Sequence, residues 1–159
     1  MTALALTFAL AGLAGGSGDT AGGPVARADM ERVVVAQVNR VRARHGLRPL
    51  RPARPLARAA RGHSRFLAAR GVLQHEDARG RPFWVRLVAA GYPRDRAMGE
   101  NLAQVGGCGP PPARRAVALW MASPGHRANV LSPRYRAIGV GAVTTGGCRA
   151  AAVTADFGG

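Results

Sequence analysis

Helical and strand patterns are separated along this chain, and their order restricts the fold class. Apolar residues recur at helical spacing over residues 29–45 and 53–69, and shorter helices are predicted at 82–90, 113–122 and 124–131. Strand patterns fall in the second half, at 102–105, 138–143 and 150–157, and a glycine-containing turn joins the last two. Because strands and helices do not alternate regularly, we predict an α+β fold.

The two longest helices have well-defined faces. In the first, Asp29 is a candidate N-cap, and Val34, Val38 and Val41 form an apolar stripe. The second helix is amphipathic. One face carries arginines at positions i, i+4, i+7 and i+11, and the opposite face carries residues expected to be buried at the same spacing. The first set is Arg54, Arg58, Arg61 and Arg65, and the second is Leu56, Ala60, His63 and Leu67. We expect His63 to pack in the core rather than to bind a ligand.

The arginine face has two interpretations. Ten arginines and no acidic residue occur from Arg40 to Arg70. Such a face is usually only solvated, but it can also contact an anionic envelope polymer or lipid headgroup. The net charge of +15 is weak support for nucleic-acid binding, because all 23 basic residues are arginine, as in a chain from a GC-rich genome. The sequence contains no zinc finger, basic zipper or aromatic stacking pattern, so we expect no specific nucleic-acid partner. We also expect the protein to be a monomer.

The N-terminal segment predicts export. Residues 2–14 form an apolar, uncharged run that is too short to span a bilayer. Small-x-small patterns typical of signal-peptide cleavage occur at its end, at residues 12–14, and again at residues 26–28. Residues 15–28 are rich in glycine and suggest a flexible linker. We therefore predict a signal peptide and linker over residues 1–28, one domain over 29–159, and a secreted or envelope location. In such a chain Cys108 and Cys148 are expected to form a disulfide, with two free thiols as the alternative.

Three fragments each place a potential metal ligand beside residues that fix the backbone. They contain His75, Glu100 and His126, two imidazoles and a carboxylate of the kind that bind zinc. Ser123 and Pro124 predict a helix start, with His126 in its first turn, where the helix dipole disfavours the imidazolium form. Taken alone, Glu100 is better explained as the ion-pair partner of an arginine. We expect the three side chains to converge on one cleft.

Together these fragments resemble the CAP superfamily, the SCP-like extracellular domain of cysteine-rich secretory, venom-allergen and plant pathogenesis-related proteins, in its bacterial form. The resemblance spans roughly residues 30–158. The matching segments, in chain order, are Val38-Asn39-Arg40, residues 46–50, Ala60 with His63-Ser64, His75, Gly91-Tyr92, residues 99–103, Trp120-Met121, residues 123–131, residues 138–141 and Asp156-Phe157-Gly158.

The resemblance implies a three-layer α-β-α sandwich and a cleft with two histidines and two glutamates that can bind divalent cations. His75 and His126 match the histidines, and Glu100 matches one glutamate. Ser123 stands where many members have the second glutamate, and Asn101 adjoins Glu100 in the cleft. Any cation, such as zinc, is therefore expected to bind weakly.

Three functions follow from this comparison. The first is an extracellular binding module at the cell envelope whose cleft binds a divalent cation. The second is a metal-dependent, peptidase-like hydrolase that uses His75 and His126 with Glu100 as catalytic general base. The third is a structural domain in which the polar cleft only stabilises the fold. A known fold does not choose among them.

Overall fold

Two helical layers enclose a central sheet in the computed structural model, which describes residues 23–159. The predicted signal peptide lies outside the described residues. The elements in chain order are β1 (Val25–Ala26), α1 (Ala28–Arg44), β2 (Arg51–Pro52), α2 (Arg54–Arg70), α3 (Phe83–Ala89), β3 (Met98–Gly106), α4 (Pro110–Ala122), α5 (Pro124–Val130), β4 (Ala137–Thr145) and β5 (Ala150–Gly158).

The sheet is built on three long antiparallel strands. Its order is β1-β4-β5-β3, and the short β2 pairs with β4 in parallel. Strand β3 pairs only with β5 among the described residues, so it lies at one edge of the sheet. Glu100 is directly opposite Asp156 in this pairing. The edge position of β3 places these carboxyl groups next to the cleft described below.

Alternate residues of the strands face the two helical layers, as strand geometry requires. Val153, Ala155 and Phe157 of β5 pack into the main core with residues of α1, α4 and α5. On the opposite face, α2 packs against β4 and β5, and a hydrogen bond joins the hydroxyl groups of Ser64 on α2 and Thr154 on β5. Helix α3 adjoins α2 on this second face. The predicted α+β class and α-β-α arrangement are therefore confirmed.

Helix α1 follows its predicted apolar stripe. Val34, Val38 and Val41 are buried in the main core, as expected. The prediction of Asp29 as N-cap is wrong, because the helix begins at Ala28 and Arg27 occupies the cap position without a capping side-chain hydrogen bond. The Asp29 carboxylate instead forms an ion pair with the Arg27 guanidinium.

Helix α2 lies on the sheet where β4 has glycines. A Cβ atom added to Gly139 would overlap the backbone of α2 at Leu56 and Ala57, and one added to Gly141 would overlap Ala60. The absence of side chains at these two positions lets the helix backbone approach the strand directly. Arg54, Arg58, Arg61 and Arg65 of α2 face outward as predicted.

His63 is buried on the inner face of α2, as the sequence predicts. One ring nitrogen, Nε2, lies 2.8 Å from the carbonyl oxygen of Gln74. Burial lowers the pKa of this histidine, and the positive charge of Arg86 lowers it further. The neutral ring therefore acts as a packed core side chain that ties α2 to the loop carrying His75.

The strands extend further than their sequence patterns. Strand β3 begins at Met98 rather than at residue 102, so Glu100 and Asn101 lie within a strand and not in a preceding segment. Two short strands were not predicted, and one of them, Val25–Ala26, pairs with β4 inside the segment expected to be a linker. The predicted hairpin between β4 and β5 is confirmed.

A disulfide joins Cys108 to Cys148, as predicted, with 5.2 Å between the Cα atoms. It connects the segment between β3 and α4 to the β4–β5 hairpin. None of the helices in residues 23–159 is long and apolar enough to cross a membrane.

We predict that Gly141→Ala destabilises the domain by at least about 2 kcal/mol, because the new methyl group would meet helix backbone that cannot move aside alone. Urea-induced unfolding measures the difference. Gly62→Ala is the matched control, since a Cβ at that helix position meets nothing within 4 Å. The control should gain about 0.5–1 kcal/mol from helix propensity. Equal stability of Gly141→Ala and wild type would show that α2 can shift.

Candidate functional site

A candidate cleft lies at the edge strand β3, where the two helical layers meet. Glu100 belongs to β3 itself, His75 to the loop between α2 and α3, and His126 to the first turn of α5. His75 and His126 thus come from opposite layers of the sandwich. The sequence separates the three residues by about 25 positions each, and the fold brings them to one region.

His75 and Glu100 are in direct contact. The His75 Nδ1 atom lies 2.7 Å from Oε1 of Glu100. The Arg86 guanidinium binds the other carboxylate oxygen, Oε2, and also donates a hydrogen bond of 2.7 Å to the His75 backbone carbonyl. The Glu100 side chain is only 1% exposed, whereas that of His75 is 46% exposed. The carboxylate is therefore enclosed, and the imidazole is the group open to solvent.

The charges in this group support one another. Burial alone would raise the pKa of Glu100, but the hydrogen bond from His75 and the charge of Arg86 outweigh it and lower the pKa below its usual value. The hydrogen bond to Glu100 raises the pKa of His75. When neutral, His75 donates its Nδ1 proton to Glu100, and its Nε2 atom carries the ring's free lone pair.

His126 lies close enough to His75 for their charges to interact. Burial lowers the pKa of His126, and the positive charge of His75 lowers it further. The sequence argument expected a neutral ring from the helix dipole, whereas desolvation is the larger cause here. A neutral His126 is in the form that binds cations.

Asn101 holds the α5 turn against β3. Its Nδ2 atom donates a hydrogen bond of 2.9 Å to the His126 carbonyl, and its Oδ1 atom accepts one of 2.9 Å from Asn129. Because Asn101 is fully buried, it contributes to the cleft by positioning the α5 turn. Ser123 occupies the predicted cap position of α5 but forms no capping side-chain hydrogen bond. It contributes no carboxylate to the cleft.

Asp156 is a site residue that the sequence argument did not single out. It is completely buried, and as a carboxylate its oxygens have no donor among the described residues. Burial raises the pKa of Asp156 well above its usual range, and the negative charge of Glu100 raises it further. In the protonated form its hydroxyl can donate to Glu100, the residue directly opposite on β3.

Arg86 was also missed, because one arginine among 23 basic residues carries no distinguishing mark. For Asp156 a signal existed, since it is the one charged residue in the apolar strand segment 150–157. A lone carboxyl in a buried strand is costly unless it is protonated or hydrogen-bonded.

The cleft offers two imidazoles rather than three ligands. Within residues 23–159, no group of three or more His, Cys, Asp or Glu side chains is arranged to hold a metal ion. Glu100 is unsuited to be a third ligand, because both of its oxygens are engaged and the side chain is enclosed. Its contact with His75 instead orients the imidazole ring.

We predict that Asp156→Asn removes part of the pH dependence of stability. A raised pKa means that the folded state keeps a proton that the unfolded state loses above about pH 4. Wild-type stability should therefore fall as pH rises from 4 toward the folded pKa. The amide resembles the protonated acid, so the variant should match wild type near pH 4 and be more stable at pH 8.

Urea-induced unfolding across this pH range tests the prediction. Asp95→Asn, at an exposed position, makes the same charge change and serves as control. The prediction is wrong if Asp156→Asn and wild type lose stability in parallel as the pH rises.

Comparisons with known proteins agree with the fold. Residues 35–157 match the profile of the CAP domain, described as the cysteine-rich secretory protein family. The chain is 32% identical over 129 residues to the uncharacterized protein YkwD of Bacillus subtilis, covering 80% of this chain and 48% of YkwD. The chain thus spans about half the length of that curated relative.

Solved structures share the fold. An outer surface protein from Borrelia burgdorferi has a TM-score of 0.73 at 19% identity, with 86% of this chain and 97% of that chain covered. An extracellular SCP-domain protein from Bacillus anthracis has a TM-score of 0.68 at 24% identity, with 80% and 39% covered. With the profile match spanning most of the domain, the chain belongs to the CAP family of cysteine-rich secretory proteins.

Proposed function

We propose that this protein is an extracellular binding module of the cell envelope whose cleft binds a divalent cation, such as zinc, weakly through His75 and His126. The observation that carries the proposal is the contact between Glu100 and Nδ1 of His75. This contact fixes the ring and leaves its other nitrogen, Nε2, without a hydrogen-bond partner among the described residues. The protein thus presents an imidazole that is held in place.

The residues present fit a zinc ion as a partial ligand set. Imidazole nitrogens are common zinc ligands, and His126 is held in its neutral form by burial and by His75. Two protein ligands leave other coordination positions open, which accounts for weak binding. A cation bound there would supply a Lewis acid to which an oxygen atom of a ligand could bind.

The hydrolase alternative is less well supported by the site. A general base must reach a proton of the substrate or of water. Glu100 is 1% exposed, is bonded to His75 and Arg86, and has a lowered pKa, so it is both enclosed and weakly basic. We therefore assign it the role of a positioning residue for His75.

The proposed location has three supports. A disulfide between Cys108 and Cys148 is typical of proteins in oxidising compartments. The apolar N-terminal segment fits a signal peptide. Similar structures include an outer surface protein and an extracellular SCP-domain protein.

Zinc titration calorimetry tests the cleft. We expect wild type to bind one zinc ion and His75→Ala/His126→Ala to bind at least about tenfold more weakly, since both ligands are removed. His45→Ala removes an exposed imidazole elsewhere and serves as control. Affinity should also fall at low pH, because protons compete with the cation for His75, whose pKa is raised.

Two results would contradict the proposal. Equal zinc binding by wild type and the double variant would place the ion elsewhere. A lower melting temperature of the double variant, with no zinc binding by wild type, would instead favour the structural alternative.

A further inference from the structure

The outward face of α2 forms a groove lined by guanidinium groups. Its lining comes from the start of α2 and the residue pair before it, and consists of Pro52, Ala53, Arg54, Ala57, Arg58, Arg61, Gly62 and Arg65. The four arginines recur about once per helical turn, so they extend over roughly 16 Å along the helix. None of the described residues that line the groove is acidic. It is therefore a linear, positively charged surface.

Two of the arginines are fixed by other parts of the protein. The Arg61 guanidinium forms three hydrogen bonds with the buried carboxylate of Glu31, at 2.6–3.0 Å. Arg58 donates to the backbone carbonyl of Ala90. These contacts fix the two central arginines of the groove, and Glu31 neutralises the charge of Arg61.

The two outer arginines have no such partner. Neither Arg54 nor Arg65 forms a side-chain hydrogen bond or ion pair within residues 23–159, and both are exposed. Their charges are available to a ligand at the two ends of the groove. Fixed cations in the centre and available ones at both ends suit a ligand with several anionic groups in a row.

Gly62 keeps the groove open between these charges. It lies in the middle of α2, where glycine costs about 0.5–1 kcal/mol relative to alanine. A Cβ atom there would meet nothing within 4 Å, so packing inside the protein does not require glycine at this position. A side chain at position 62 would project into the groove.

We propose that this groove binds a linear polyanion that carries regularly spaced phosphate-type groups, as an envelope polymer does. The inference does not rest on the two-imidazole cleft, since neither His75 nor His126 lines the groove. Electrostatic attraction supplies most of the binding, and Arg58 and Arg61 set the path of the polymer along the helix.

Two other anionic partners fit the groove less well. Among residues 23–159, the large exposed apolar residues that could enter a lipid layer are Val25, Val72, Leu73, Trp84 and Leu119, and none of them lies on α2. The lining contributed by residues 23–159 contains no aromatic ring, so it offers no surface on which nucleic-acid bases could stack. Charge repeated along a narrow groove favours a flexible polymer chain over both.

The test uses linear polyphosphate as the probe and measures binding to the folded domain by fluorescence anisotropy. We expect Arg54→Glu/Arg65→Glu to weaken binding at least about tenfold, and wild-type affinity to fall steeply between about 50 and 200 mM salt. Arg114→Glu/Arg115→Glu is the matched control, because it makes the same charge change at exposed positions of α4. The control should lose less than about threefold.

Gly62→Leu separates the shape of the groove from its charge. Leucine is a better helix former than glycine, so the melting temperature should not fall, while the side chain should block the groove and weaken polyphosphate binding. His75→Ala/His126→Ala should bind polyphosphate as wild type does, so that failure of the cleft proposal leaves this one intact.

Three outcomes would overturn the inference. In the first, the α4 control loses as much affinity as the α2 variant, which would mean that only net charge matters. In the second, Gly62→Leu binds like wild type. In the third, anionic phospholipid vesicles or single-stranded DNA of equal phosphate content bind more tightly than polyphosphate and show the same dependence on Arg54 and Arg65.

Discussion

The close packing of α2 on β4 is the constraint on which the rest of the structure depends. Gly139 and Gly141 remove the side chains that would otherwise separate helix from strand. Helix α2 then sits deep enough for Ser64 to bond both the Gly141 carbonyl and Thr154, and for His63 to hold the following loop. That loop carries His75, so a contact at the centre of the sheet determines where an imidazole at its edge can lie.

The enclosed charges around Glu100 are stable because each has a defined partner. An isolated buried carboxylate would be strongly destabilising. Here His75 and Arg86 each bind one oxygen, and Asp156, whose pKa is raised by burial, lies opposite on the neighbouring strand. Only one of the two adjacent carboxyl groups needs to be ionised. The negative charge is therefore located on Glu100, the carboxylate that contacts the exposed His75 ring.

Sequence patterns predicted the parts of this protein that depend on local periodicity. The buried stripe of α1, the arginine face of α2 and the β4–β5 hairpin all follow from residue spacing. The two-residue strands β1 and β2 do not, because their pairing with β4 depends on the tertiary fold. Family resemblance identified His75, Glu100 and His126, but not that Glu100 would be enclosed. The enclosure of Glu100 depends on Arg86 of α3, and no sequence pattern distinguishes this arginine from the others.

The disulfide lies far from the imidazoles. Cys108 follows the end of β3 and Cys148 sits in the hairpin turn, whereas Glu100 lies near the start of β3, about 20 Å away along the strand. A change in the redox environment would therefore loosen the hairpin and the start of α4 first. His75 and His126 are held by hydrogen bonds from Arg86 and Asn101 and not by the disulfide. Their state would therefore change with pH rather than with the addition of a reductant.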